Sequence, residues 1–342
     1  MFEQALRLLR SDIAIELGSA RTKVFVRGQG LLFDEPSLVL TKNHNKKEKI
    51  VCVGKEAQQF LGRTPESMNI HTPIQKSISI HPNLSKTLLQ HAVEKSIGGQ
   101  GLLKPKILLL IPHGIRTDER NQLLDILYNV GSRESVYIDS LLCAGLGSGL
   151  PINEPVGSLV LDIGHGTSKV GVLSMSGIVA SAKSNVGGEQ INQYIISHAH
   201  EQNNRIGQVT ANTIKEAIGE AVERDVPRYI TFTCRDSLSG HPKEVQLQSS
   251  DITPPITKAL QQISVMIRAL LTKLSPELCA DVLQYGMMIC GGSAKLYGMD
   301  EFFSHDLNIP VFVHEQPELR SILGAGALLE NQHLLDWMGE AR

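Results

Sequence analysis

Apolar positions along this chain switch between strand-like and helix-like rhythms. Asp12 to Val26 is an apolar run interrupted at Gly18-Ser19, which predicts two strands joined by a tight glycine turn. Lys106 to Ile111 and Met287 to Ile289 are continuous apolar runs, suited to strands buried on both faces. Helical spacing predicts helices over Ser85 to Ile97, with Leu88, Leu89, Ala92 and Val93 inward, and over Thr117 to Val130. It also predicts helices over Leu141 to Leu146, Ile191 to Asn203, Thr210 to Val222 and Thr253 to Leu274. Val136 to Ile138 reads as a short strand, Thr231 to Val245 as a hairpin around Ser239-Gly240, and Asn43 to Lys49 as a polar loop.

One pattern occurs twice. After the punctuating segment Asn153 to Gly157, Ser158 to Asp162 predicts a strand, Gly164 to Thr167 a glycine turn, and Lys169 to Leu173 a returning strand. This repeats the arrangement of Asp12 to Val26 and predicts two related domains. The length of 342 residues agrees, since a single hydrophobic core rarely grows beyond ~250–300 residues.

The first ten residues stand apart. Phe2, Ala5, Leu6 and Leu9 share one helical face, with Glu3, Arg7 and Arg10 toward the other. Both a docked helical cap and an amphipathic helix in a membrane interface fit that pattern. No apolar run is long enough to cross a bilayer. The formal net charge of −2 argues against a nucleic-acid binder. Five cysteines, widely spaced and without a C-x-x-C pair, read as reduced thiols of a cytoplasmic protein.

The candidate chemistry lies in three glycine turns, each following an apolar strand: Gly18-Ser19, Gly164-His165-Gly166-Thr167 and Gly291-Gly292-Ser293. Successive backbone N–H groups in such turns form a concavity for phosphate oxygens, and glycine lets the backbone approach closely. Glu16 and Asp162 each stand two residues before the first glycine. A carboxylate there can hold Mg²⁺ through water.

These segments resemble a known superfamily. I-E-L-G-S-A-R-T-K-V and D-I-G-H-G-T-S-K-V-G-V are similar to the first and second phosphate loops of the actin, sugar-kinase and heat-shock-chaperone ATPases. I-C-G-G-S-A-K-L-Y-G-M-D is similar to their adenosine-binding segment. F-D-E-P-S-L-V at Phe33 to Val39, V-G-K-E-A at Val53 to Ala57, L-G-R-T-P-E at Leu61 to Glu66 and G-L-P-I-N-E-P-V-G-S at Gly149 to Ser158 narrow the resemblance to the bacterial MreB family. S-G-I-V, V-G-G-E and S-P-E-L-C-A-D, beginning at Ser176, Val186 and Ser275, extend it along nearly the whole chain.

The resemblance implies an α/β, actin-like fold of two lobes, each with a large and a small subdomain. The expected segments are 1–32, 33–70 and 71–152 in the first lobe and 153–190, 191–252 and 253–342 in the second, with 33–70 and 191–252 as the small subdomains. It implies ATP or ADP with Mg²⁺ in the cleft between the lobes. Gly18, Ser19 and Ala20 would line the first phosphate loop, with Gly164, His165, Gly166 and Thr167 at the β- and γ-phosphates. Gly291, Gly292 and Ser293 would face the α-phosphate and adenosine, and Gly188, Glu189, Lys215 and Glu216 the ribose or base. Glu16 and Asp162 would support the metal. The family forms filaments beneath the membrane that organise cell shape and cell-wall synthesis. A copy of itself, other MreB paralogues, cell-wall synthesis proteins and an anionic membrane are therefore the expected partners, at the inner face of the cell membrane. Phe2, Leu6 and Leu9 would attach there together with Leu102 and Leu103, in the place of a membrane-inserting loop. Leu102 and Leu103 also fit the start of the following buried strand.

The departures fall on chemical positions. Glu16 and His165 replace an aspartate and a glycine of the family's phosphate loops. Ser140 stands where the family carries the glutamate that orients the attacking water, and Lys76 where it carries an aspartate. A hydroxyl is a far poorer base than a carboxylate, so slow hydrolysis is expected. A non-polymerising adaptor and a small-molecule kinase of the same superfamily remain alternatives.

Overall fold

The computed structural model describes residues 12–44, 47–76, 78–98 and 104–331, which divide into two compact units. Residues 2, 6, 9, 102 and 103, the expected membrane contacts, lie outside the described residues.

In the first unit, β1 (Ile13–Leu17), β2 (Arg21–Val26) and β3 (Gly30–Pro36) form an antiparallel meander. β4 (Val39–His44), β5 (Lys47–Val53) and β6 (Met68–His71) make a separate three-stranded sheet, with the short helix α1 (Lys55–Gln58) after β5. The strands β7 (Ile74–Gln75) and β8 (Ile78–Ser79) pair with each other. There follow α2 (Pro82–Ile97), β9 (Lys106–Ile111), α3 (Thr117–Val130), β10 (Glu134–Asp139) and α4 (Ser140–Gly147). The main sheet has the order β10-β9-β1-β2-β3. β9 runs parallel to β1 and to β10, with Glu16 beside Leu110 and Ile111 beside Asp139. The carboxyl ends of β1, β9 and β10 therefore share one edge.

The core of this unit joins Ile13, Ile15, Val24 and Val26 of the sheet to Leu88, Leu89 and Ala92 of α2 and Leu123 and Leu127 of α3. Burying each large aliphatic side chain contributes about 1.5–3 kcal/mol. Glycines in the left-handed region stop both helices: Gly98 at φ 73° and Gly131 at φ 104°.

In the second unit, apart from Leu173–Ile178 at the tip of the β12–β13 hairpin, the order is β11 (Ser158–Ile163), β12 (Ser168–Ser174), β13 (Gly177–Ser184), α5 (Gly188–Glu201), β14 (Asn204–Arg205) and α6 (Gln208–Ile218). Then come β15 (Tyr229–Asp236), β16 (Pro242–Gln248), α7 (Ser249–Leu271), α8 (Pro276–Tyr285), β17 (Met287–Cys290), α9 (Met299–Leu307) and β18 (Val311–Val313). The main sheet has the order β13-β12-β11-β17-β18. That is the order of the first unit's sheet with β11, β12, β13, β17 and β18 in place of β1, β2, β3, β9 and β10. The repeated glycine hairpin thus belongs to a repeated sheet. Leu159, Leu161, Ile191, Ile195, Ile214, Ile256, Leu260 and Phe303 share its core.

Residues 319–331 pack with the first unit, not the second. The last described helix, α10 (Arg320–Glu330), lies against α4, β1 and β2. A Cβ on Gly324 would collide with the carbonyl of Cys143, and one on Gly147 with that of Arg320. Glycine on both helices is what allows this approach.

Two expectations change. Asn43 to Lys49 is no loop throughout: β4 runs to His44 and β5 starts at Lys47, with Asn43 paired to Glu48. Glu48 and Lys49 are exposed, so the ladder satisfies the backbone while the side chains stay in water. The helix expected over Thr210 to Val222 ends at Ile218, because Glu220 leaves it to bridge Tyr297 and Ala221 N–H donates to the Tyr297 carbonyl at 2.7 Å.

Candidate functional site

The second unit gathers most of the expected ligand residues at the carboxyl ends of β11 and β17, where parallel sheets bind ligands. Asp162, buried on β11, leads into a tight turn in which Gly164 N–H donates to the Thr167 carbonyl at 3.0 Å. The start of α5 fits into this turn. Gly188 N–H donates to the Gly164 carbonyl at 3.0 Å, and Glu189 N–H to that of His165 at 2.8 Å. A Cβ on Gly187 would lie 2.6 Å from the His165 carbonyl oxygen, so only glycine admits the contact. The third turn joins the same cluster. Ser293 Oγ donates to the Gly164 carbonyl at 3.2 Å, and a Cβ on Gly291, at φ 91°, would meet Asp162 Oδ1 at 2.5 Å. Gly292 has open space where its Cβ would be. The glycines therefore separate into packers, Gly187 and Gly291, and one that faces open space, Gly292.

Lys215 is buried on α6 and donates from Nζ to the Gly188 carbonyl at 3.1 Å. Burial pulls its pKa down to about 8, against the opposing charge of Glu216. His165 is half-buried in the turn; burial and the charge of Lys215 lower its pKa, while Glu189 opposes them. At neutral pH this places a charged lysine and a neutral imidazole beside the start of a helix. An anion there would add to the pull of Glu216 and favour the charged lysine. Gly166 and Thr167 are buried in the turn, and Glu189 is exposed on the first turn of α5. Glu216 is exposed and accepts from Asn212 Nδ2 at 2.8 Å.

The first unit repeats the turn. Gly18 N–H donates to the Arg21 carbonyl at 3.1 Å, and a Cβ on Gly18 would come within 2.7 Å of that oxygen. Ser37 fastens the turn by donating from Oγ to the Gly18 carbonyl at 2.7 Å and from N–H to that of Ala20 at 2.9 Å. Ser19 is half-buried and Ala20 exposed. Glu16 pairs with buried Lys23 at 2.8 Å, and Asp162 pairs with buried Lys169 at 3.1 Å. The sequence reading missed both lysines, although each stands seven residues after its carboxylate.

At the same edge of the first sheet, Ser140 is buried as the first residue of α4. Asp139 caps that helix, accepting Leu141 N–H on Oδ1 at 2.8 Å. Its Oδ2 lies 2.9 Å from His113 Nδ1. Lys76 sits at φ 51° after β7. The sequence reading also missed His113. Its only local signal is its place between Pro112 and Gly114, just past a buried strand.

Among the described residues, no three His, Cys, Asp or Glu side chains gather where they could hold a metal ion, and no helix is long and apolar enough to cross a membrane. No disulfide joins any of the cysteines Cys52, Cys143, Cys234, Cys279 and Cys290.

Comparison with known proteins agrees with this architecture. The family model described as MreB/Mbl protein matches residues 10–336. The cell shape-determining protein MreB of Escherichia coli (strain K12) is 31% identical over 335 residues, covering 96% of each chain. The cell shape-determining protein Mbl of Bacillus subtilis (strain 168) is 30% identical over 327 residues, covering 95% of this chain and 97% of its own. The crystal structure of MreB 5 of Spiroplasma citri bound to AMPPNP superposes with a TM-score of 0.91 at 28% identity, over 97% of this chain and 99% of that one. A MamK double helical filament structure shares the fold with a TM-score of 0.78 at 20% identity, covering 94% of this chain and 99% of that one. The doubled sheet is thus an actin-like fold, and the chain belongs to the MreB/Mbl family.

Proposed function

We propose that this protein is an actin-like cytoskeletal protein that binds ATP or ADP and assembles into filaments organising cell shape and cell-wall synthesis. The observation that carries the nucleotide reading is the cluster on the second unit. There the Gly164–Thr167 turn, the start of α5, Lys215 and the Gly291–Ser293 turn interlock through backbone and side-chain hydrogen bonds to backbone carbonyls. The relatives in Spiroplasma citri whose structures hold AMPPNP and ADP support it. The MamK filament supports only the shared fold, so self-assembly rests on family membership. The small subdomains would be the parts carrying the separate sheets β5-β4-β6 and β14-β15-β16.

Magnesium fits these residues in a limited way. Glu16 and Asp162 are each held by a lysine, so their charge is already balanced. They would support Mg²⁺ through bound water, with the nucleotide's phosphates as its main ligands. The ion would supply charge neutralisation at the phosphates.

Ser140 in the water-orienting position makes hydrolysis slow. Attachment to an anionic membrane through Phe2, Leu6, Leu9, Leu102 and Leu103 completes the reading and places the filament at the inner membrane face. Each apolar element alone binds weakly, and a filament repeats both in every subunit.

The test is calorimetry of the purified protein with ATP and ADP, with and without Mg²⁺. Saturable binding of both is expected. No binding of either at millimolar concentration would overturn the reading.

A further inference from the structure

We propose that Asn212, held by buried Asn192, positions the Glu216 carboxylate to accept a hydrogen bond from a sugar hydroxyl of the bound nucleotide. The proposal rests on the nucleotide reading above, and its residues all belong to the second unit.

Asn192 is a polar residue in an apolar seam. It follows the core residue Ile191 on α5 and is only 2% exposed. Its Oδ1 has no hydrogen-bond partner, while its Nδ2 donates to Asn212 Oδ1 at 3.4 Å. A buried amide with an unsatisfied acceptor lowers stability, so an apolar side chain would suit the seam better. The bond that Asn192 does make leads to α6. Asn212 passes it on, donating from Nδ2 to Glu216 Oε1 at 2.8 Å, one helical turn away. With its carbonyl turned to Asn192, the Asn212 amide presents its N–H to Glu216. The carboxylate is thus held at one oxygen. Glu216 is exposed, and Oε2 remains as an acceptor.

The preceding residue fixes where Glu216 stands. Lys215 Nζ donates to the Gly188 carbonyl, and a Cβ on Gly188 would lie 3.3 Å from that nitrogen and 2.9 Å from Ser293 Oγ. Glu216 therefore follows the lysine that borders the glycine turns. A carboxylate repels phosphates, so it suits a neutral donor. In a nucleotide the sugar hydroxyls lie near the phosphates, and the amino group of adenine lies at the far edge of the base.

The experiment is calorimetry of wild type, Glu216→Ala, Asn212→Ala and Asn192→Leu with four ligands: ATP, 2′-deoxy-ATP, 3′-deoxy-ATP and inosine triphosphate. Wild type should bind ATP about 10-fold more tightly than at least one deoxy analogue, the usual worth of a hydrogen bond to a charged group. Glu216→Ala should abolish that preference and leave the ratio of ATP to inosine triphosphate unchanged. Asn212→Ala and Asn192→Leu should each shrink the preference about 3-fold by weakening ATP and not the deoxy analogue. Asn192→Leu should also melt no lower than wild type, because it removes the unsatisfied amide. Asn212 is half-buried, so its variant folds even if leucine overfills the seam. A sugar preference that survives Asn212→Ala would overturn the proposal. So would equal losses for all four ligands in that variant, which mark a merely structural asparagine, or a Glu216→Ala effect confined to inosine triphosphate. Wild type that binds ATP and ignores both hydroxyls sinks the proposal alone. Wild type that binds no nucleotide sinks the underlying reading, and the proposal with it.

Discussion

Lys169 Nζ lies 3.1 Å from Asp162 Oδ2, with both side chains almost withdrawn from water. The same pair, Lys23 with Glu16, closes the corresponding hairpin of the other unit at 2.8 Å. Each lysine balances a carboxylate next to a candidate phosphate turn. Removing one partner of a buried pair strands the other charge, which costs about 3–5 kcal/mol. Lys169→Met should therefore lower the denaturant midpoint markedly. The double change Asp162→Asn with Lys169→Met should recover much of that loss. Urea denaturation followed by circular dichroism of the two variants checks this.

Gly291 and Gly292 are chemically identical neighbours with opposite surroundings. A Cβ on Gly291 would strike Asp162 Oδ1 at 2.5 Å in a left-handed conformation, while Gly292 faces open space. Gly291→Ala should destabilise the protein by about 1–3 kcal/mol. Gly292→Ala should leave the melting temperature unchanged. If a nucleotide covers Gly292, the second variant should still bind ATP more weakly. Thermal melts and calorimetry on the same preparations separate the two effects.

Lys215 gives a pH signature. Its folded pKa of about 8 lies below the ordinary 10.5. Between these values the unfolded chain holds a proton that the folded one has released, so stability rises with pH across that window. Below it the charged lysine costs about 3 kcal/mol. Lys215→Met should therefore be more stable than wild type near pH 7 and should flatten the rise between pH 8 and 10.5. An anion beside Lys215 favours its charged form, so ATP binding should take up a proton near pH 8 and weaken above it. Calorimetry in buffers of different ionisation enthalpy measures that uptake.

Ser140 is the first residue of α4 and buried, where the family resemblance expects a glutamate. Loss of a general base typically costs ~10²–10⁴-fold. Ser140→Glu should raise phosphate release above wild type. Unchanged turnover would remove the argument that this position limits hydrolysis.

Residues close in sequence were the legible ones. The strand over Lys106 to Ile111 and the helix over Thr117 to Val130 have the bounds that their patterns predict, because long periodic runs and flanking breakers carry their own information. The two glycine hairpins were legible for the same reason, and their repetition pointed to the repeated sheet. Contacts made only in three dimensions were not. His113 and Asp139 meet because β9 and β10 lie in register, which neither residue's neighbours announce. The close approach of Gly187 to His165 depends on where α5 begins, three residues before the predicted Ile191. The return of α10 to the first unit depends on glycines far apart in the chain, Gly147 and Gly324.

The central claim is that nucleotide binding and self-assembly belong to one molecule. Electron microscopy of the purified, full-length protein with ATP and Mg²⁺, beside a sample without nucleotide, tests it most directly. The account predicts filaments in the presence of ATP and few or none in its absence. Dispersed particles under both conditions, from protein shown by calorimetry to bind ATP, would contradict it.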